Sequence, residues 1–262
     1  MNELKGKIAV IYGAGGAIGG AVARAFAREG AKLFLTGHRL APVEAVARDI
    51  VSAGGDAEAA QIDALDEQAI DKHLESVMAS ADRIDISFNA MGILPTPDLE
   101  ASLVDMDLKQ FWTPIMSYIT SYFLTARLAA RRMLANKSGV IMTVTAPPPR
   151  IGTPNGGYGP SQAVKEALTR YLSVELSPQG IRVVGLQAHA MPETKTITEI
   201  YEGRAGMMGL TWEQFTGYLA GTNHPKRFLT LAELANVAVF VASDKASAMM
   251  GTTVNVTMGA MD

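Results

Sequence analysis

Cysteine is missing from all 262 residues. Its absence excludes a disulfide framework, a thiolate nucleophile and any zinc site built on sulfur. Histidine is scarce: the four residues at 38, 73, 189 and 224 are scattered, at no spacing that would hold a metal. Basic charge is sparse too, 23 Lys and Arg against 26 Asp and Glu, so the chain lacks the excess of base that a nucleic-acid partner requires. No stretch approaches eighteen uninterrupted apolar residues, and no signal-type apolar segment follows Met1-Asn2-Glu3-Leu4-Lys5. The expectation is a cytoplasmic protein with no membrane and no nucleic-acid partner. What is plentiful is apolar bulk, 48% of the residues, enough to bury one core in a single domain over residues 1–262.

Short apolar runs alternate with longer segments of helical period, the pattern of a parallel sheet covered by helices on both faces. Strands are expected at Lys7–Tyr12, Lys32–Thr36, Ala57–Ile62, Ile84–Phe88, Val140–Thr145, Ile181–Gln187 and Thr253–Val256. Helices are expected near 18–29, 41–53, 67–80, 103–135, 157–177 and 231–243. Together they predict an α/β fold with a doubly wound, seven-stranded parallel sheet. The stretch from 189 to 227 breaks the rhythm with two short helical patterns, the second opened by a Thr211-x-x-Gln214 capping box. An insertion of that length is expected to act as a lid or substrate loop.

The first strand runs straight into Gly13-Ala14-Gly15-Gly16-Ala17-Ile18-Gly19-Gly20 and then an Ala-rich helix. Small residues between a strand and a helix N-terminus let backbone N–H groups approach a pyrophosphate, so Gly13, Gly15, Ala17, Ile18 and Gly19 are candidate cofactor residues. After the second strand, Gly37 offers no carboxylate for an adenosine ribose, whereas His38 and Arg39 offer donors to a 2'-phosphate. NADP(H) is therefore expected over NAD(H).

Gly13-x-x-x-Ala17-x-Gly19 resembles the T-G-x-x-x-G-x-G turn of the short-chain dehydrogenase/reductases, and the likeness runs to the end of the chain. Asp63 is similar to that family's adenine-contacting Asp, Asp85 with Asn89-Ala90-Met91-Gly92 resembles D-x-x-x-N-N-A-G, and Tyr158 resembles the tyrosine of Y-x-x-x-K. Ile181-Arg182-Val183, Arg227, Glu233, Ala242-Ser243-Asp244, Gly251 and Asn255-Val256-Thr257-Met258-Gly259 resemble its last third. The resemblance implies a Rossmann-type fold, a nicotinamide dinucleotide touched by Asp63, Asn89 and Gly92, and a homotetramer or homodimer built on the two long helices.

Several positions depart from the pattern. Tyr12 and Ala17 replace the Thr and the middle Gly of the turn, which would place a phenol and an extra methyl near it. The catalytic serine falls on Ala146, with Thr145 one residue earlier on the opposite strand face; the lysine is Gln162, and the active-site asparagine falls on Tyr118. Gln162 shares a helix face with Tyr158 and can hydrogen-bond ribose hydroxyls, yet it carries no charge to stabilise a phenolate. With a free pKa near 10, about one tyrosine in a thousand is phenolate at neutral pH. Reduction, which needs a protonated donor, suffers less than oxidation. Lys165, a further turn along, reads as a solvated lysine, since two helical turns rise about 10.5 Å.

The first reading is thus an NADP(H)-linked reductase of a carbonyl or related polarised double bond in an apolar small molecule, with Tyr158 as proton donor and Thr145 or Gln162 as replacements for the missing partners. Two others stay open: a dinucleotide- or ligand-binding scaffold without redox turnover, and an enzyme of dehydration or isomerisation using His189 at a strand end. Met207, Met208, Leu210, Trp212, Phe215 and Tyr218 suit an apolar ligand or the docking of the two insertion helices. Pro147-Pro148-Pro149 reads as a stiff wall beside the site.

Overall fold

The computed structural model describes residues 2–92, 102–147 and 155–260. Seven strands alternate with helices as β1 Ile8–Tyr12, α1 Ala17–Arg28, β2 Lys32–Gly37, α2 Leu40–Ser52, β3 Asp56–Gln61, α3 Glu67–Ala81, β4 Ile86–Asn89, α4 Leu108–Asn136, β5 Gly139–Thr145, α5 Tyr158–Leu176, β6 Ile181–Ala188, α6 Lys195–Met207, α7 Trp212–Thr222, α8 Leu231–Ala242 and β7 Thr252–Val256. All pairings are parallel, in the order β3-β2-β1-β4-β5-β6-β7. The order reverses between β1 and β4, which opens a crevice at the carboxyl edge of the sheet.

Alternation along the strands sends Ala9, Ile11, Leu33 and Leu35 into one core with α1, α2 and α8. Val10, Tyr12 and Phe34 enter a second core with α3 and α4. Tyr12 therefore turns its phenol away from the glycine turn. It is fully buried against α3 and α4, which corrects the expectation that it crowds the turn. Asp85 accepts from the amide of Ile8 at 2.8 Å and pairs with Arg83, tying the start of β1 to the approach to β4. β4 begins at Ile86, two residues later than the apolar pattern suggests.

The long fourth helix starts at Leu108 rather than near 103, because Asp107 and Gln110 form a capping box there. Gly157 lets α5 approach it closely: a Cβ at that position would lie 2.0 Å from the carbonyl oxygen of Phe111. The two helices of the insertion form as expected, α7 with its Thr211/Gln214 box. They share a small core of Tyr201, Ala205, Phe215 and Leu219, while Met207, Met208 and Tyr218 remain exposed.

Helix α5 buries a polar stripe beside Leu168, Leu172 and Leu176, which are partly buried against the second core. Its buried residues are Ser161, Gln162, Lys165, Thr169 and Ser173, whereas Val164, Tyr171 and Val174 face outward. Among the described residues no helix is long and apolar enough to cross a membrane.

Candidate active site

At the glycine turn the crevice is built by residues that cannot gain a Cβ without collision. Gly13 has φ +75°, and a Cβ there would meet the carbonyl oxygen of Ala90 at 2.7 Å. A Cβ on Gly19 would lie 2.3 Å from the carbonyl oxygen of Gly13, and one on Gly15 would lie 2.8 Å from Cβ of Pro42. The turn is pinned from both sides, Ala14 N–H donating to Thr36 O at 2.9 Å and Ala90 N–H to Tyr12 O at 3.0 Å. Gly16 stands at the N-cap of α1 and gives it no side-chain cap, and the first intrahelical bond runs from Gly20 N–H to Gly16 O. The amides of Ala17, Ile18 and Gly19 precede that bond, and with the positive end of the helix dipole they form a cradle suited to a pyrophosphate.

Around this cradle the other candidates take varied positions. His38 and Arg39 are exposed at the end of β2, Arg39 standing at the N-cap of α2. Asp63 is exposed beyond β3, its carboxylate accepting from the amide of Leu65 at 2.9 Å. Gly92 is exposed, with open space where a Cβ would project. Asn89 differs: it is 2% exposed, and its amide donates to Ser121 at 2.9 Å and Thr125 at 3.0 Å, so its side chain fastens β4 to α4.

At the other end of the crevice Tyr158 opens α5, half-buried. Its ring meets Tyr118 of α4 edge to face, with centroids 5.6 Å apart. Burial pushes the Tyr158 phenol well above its usual range, and the phenols of Tyr118 and Tyr201 push it further the same way. Tyr201 reaches in from α6 and is itself raised to about 12 by burial. A phenol in that setting keeps its proton.

The replacements for the missing partners do not converge on it. Gln162 is buried, and its amide donates to Ser161 Oγ at 3.0 Å, which in turn donates to Tyr158 O at 2.6 Å. The Thr145 hydroxyl donates to Glu166 of α5 at 3.1 Å, and the same carboxylate oxygen accepts from Gln187 at 2.7 Å. His189 follows β6 half-buried; burial lowers its pKa, so the imidazole is held neutral. Pro147 ends a described segment, and the other two prolines of its run lie outside the described residues.

Lys165 is a correction to the sequence reading. It is 1% exposed, its Nζ donates to the carbonyl of Val144 at 2.5 Å, and it stands over the rings of Tyr118 at 5.3 Å and Tyr122 at 5.9 Å. Burial lowers its pKa to about 7. The signal that could have found it is a stripe every four residues, Ser161, Lys165, Thr169 and Ser173, too regular for a random solvated face.

With fold and site in place, comparison with known proteins fixes the class. A family model described as enoyl-(acyl carrier protein) reductase matches residues 13–261. The chain is 34% identical to a 2,3-dihydro-2,3-dihydroxybenzoate dehydrogenase of Bacillus subtilis over 68% of its own length and 67% of the relative's. It is 27% identical to the 7alpha-hydroxysteroid dehydrogenase of Escherichia coli over 98% and 95% of the two lengths. Sorbitol-6-phosphate 2-dehydrogenase from Erwinia amylovora superimposes with a TM-score of 0.89 at 24% identity, covering 97% of this chain and 99% of that one, a likeness of fold. The chain belongs to the short-chain dehydrogenase/reductase superfamily. It is an oxidoreductase of that superfamily, whose members use a nicotinamide dinucleotide and small-molecule substrates.

Proposed function

We propose that this protein reduces a carbonyl or related polarised double bond of an apolar small molecule, drawing on NADPH in the cytoplasm, with Tyr158 as the proton donor. The observation that carries the reading is the environment of Tyr158, whose phenol burial and two neighbouring phenols hold in the protonated form. A protonated donor is what reduction consumes; oxidation would need a phenolate that the neutral Gln162 does nothing to stabilise.

The cradle fits the cofactor, since the amides of Ala17, Ile18 and Gly19 stand ahead of the first intrahelical bond of α1 and no side-chain cap occupies them. Gly13, Gly15, Ala17, Ile18 and Gly19 would hold the pyrophosphate, Asp63 and Gly92 would flank the adenosine half, and Asn89 would act from inside by fixing the end of β4. Arg39 and His38 would take the 2'-phosphate, and Gly37 leaves no carboxylate there to repel it. The bound nicotinamide supplies the hydride.

This chain's own part is to seat the substrate among Tyr118, Tyr158 and Tyr201 and to deliver the phenolic proton to the substrate oxygen. His189, neutral at the end of β6, would serve as a hydrogen-bonding wall, and Thr145 would order the floor through Glu166. The outward apolar residues of the long helices, among them Trp112, Met116, Tyr171 and Val174, support a homotetramer or homodimer joined there.

The test is to titrate the purified protein with NADPH and NADH, then add apolar ketones and enones and follow nicotinamide absorbance. Tighter NADPH binding with substrate-dependent oxidation is the expected result. Failure of either cofactor to bind would overturn the reading.

A further inference from the structure

A fully buried lysine with no carboxylate partner demands a reason. Methionine would fill the same volume without the cost of desolvating an ammonium. Among the described residues no carboxylate forms a salt bridge with Lys165; the neighbouring Glu166 spends an oxygen on Thr145 and Gln187 instead. The ammonium has one carbonyl and two aromatic faces for company. Those contacts join three parts of the site. Val144 lies two residues before Ala146, where the family's serine would stand; Tyr118 stands where its asparagine would; and Tyr158 opens the same helix as Lys165.

We propose that Lys165 is a positioning residue for the reaction: its ammonium, bound to the carbonyl of Val144 and lying on the rings of Tyr118 and Tyr122, holds the Tyr118–Tyr158 ring pair against the end of β5. It anchors the site from within α5, three residues past the position at which the family carries its lysine. Gln162 cannot do this, because its amide folds back on Ser161. The inference rests on the reading of Tyr158 as proton donor.

The anchor depends on charge, because the attraction of the ring faces is for the ammonium and not for the neutral amine. The titratable groups that face it are few. Helix α4 presents Tyr118 and Tyr122, the latter bonded to Thr169 at 2.9 Å, while Glu166 on α5 is taken up by Thr145 and Gln187. Strands β5 and β7 carry no titratable side chain, and the Arg182 of β6 is bound to Ser243 O at 2.9 Å, at the opposite end of the strand. Lys165 itself is thus the group expected to change charge near neutrality.

The experiment uses the full chain with ring-labelled tyrosine, the resonances of Tyr118 and Tyr158 being assigned with Tyr118→Phe and Tyr158→Phe. Both resonances should shift together as pH passes through about 7, and both should stay fixed in Lys165→Met. In Tyr118→Leu the Tyr158 resonance should no longer follow that titration. Kinetically, Lys165→Met should lower kcat by about tenfold to a hundredfold with the KM for cofactor little changed; the wild-type kcat should fall as Lys165 loses its proton above neutrality, whereas Lys165→Arg, charged at every pH, should keep most of the activity without that fall. Tyr118 and Tyr158 resonances that are the same in wild type and Lys165→Met at every pH would overturn the proposal. That arm needs no turnover, so it is decided even if the reductase reading fails.

Discussion

The ring of Tyr118 meets that of Tyr158 with planes 68° apart and centroids 5.6 Å apart. The contact puts an aromatic wall beside the proposed proton donor, at a place where the family resemblance implies an amide. Edge-to-face pairs contribute about 0.5–1.5 kcal/mol beyond the area they bury. Tyr118→Leu, which keeps an apolar filler, should therefore cost about 1–2 kcal/mol in denaturant unfolding. Its effect on kcat should exceed its effect on cofactor affinity, and a larger loss in affinity than in kcat would show that Tyr118 serves the cofactor instead.

The buried lysine sets a pH dependence of stability whose sign follows from its proton count. The unfolded chain keeps the Lys165 proton to about 10.5, the folded chain only to about 7. Between those limits the unfolded state holds the extra proton, so this group's contribution is complete above the upper limit and is lost as pH falls through the lower one. Lys165→Met should consequently stabilise the protein by about 2–4 kcal/mol on the acid side of neutrality, with the gain shrinking toward pH 10. Melting curves across that range give the answer. A variant that is less stable at every pH would contradict the assignment of a strained ammonium.

Cofactor binding should hinge on Gly19, where the turn leaves no room for a Cβ. Gly19→Val drives a branched side chain into the carbonyl of Gly13, already only 2.3 Å from an ideal Cβ. Dinucleotide affinity should fall by at least about a hundredfold while a cooperative melt survives, since the loss falls on the N–H groups that meet the pyrophosphate. Calorimetry reads the first and circular dichroism the second.

Arg39 should decide between the two nicotinamide cofactors. A charge-assisted contact to a 2'-phosphate contributes about 1.5–3 kcal/mol, so Arg39→Ala should weaken NADPH by about ten- to a hundredfold and leave NADH nearly unchanged. Equal losses for both would place the guanidinium elsewhere.

Much of this architecture is written in the chain. The strands are legible because buried parallel strands are apolar on both faces, and the glycine turn is legible because only a missing Cβ permits its approach to Ala90 and Pro42. The start of α4 was not, since the apolar residues at 103 and 104 extend the helical pattern beyond the cap that Asp107 supplies. Lys165 was misread for a deeper reason. Hydropathy assumes that the polar residues of a helix turn outward, and α5 breaks that rule, burying Ser161, Lys165 and Thr169 beside the partly buried Leu168 and Leu172 while Val174 is 75% exposed. Thr145 lies buried at the end of β5, and which carboxylate claims its hydroxyl depends on helix packing that spacing alone does not give.

The central claim is that Tyr158 gives its proton to the substrate, and Tyr158→Phe tests it by removing one oxygen and little else. On a ketone that the wild-type protein reduces, the variant should bind NADPH within about twofold of wild type and lose at least about a hundredfold in the single-turnover rate of reduction, as expected for a positioned general acid. An unchanged single-turnover rate in Tyr158→Phe would contradict the account.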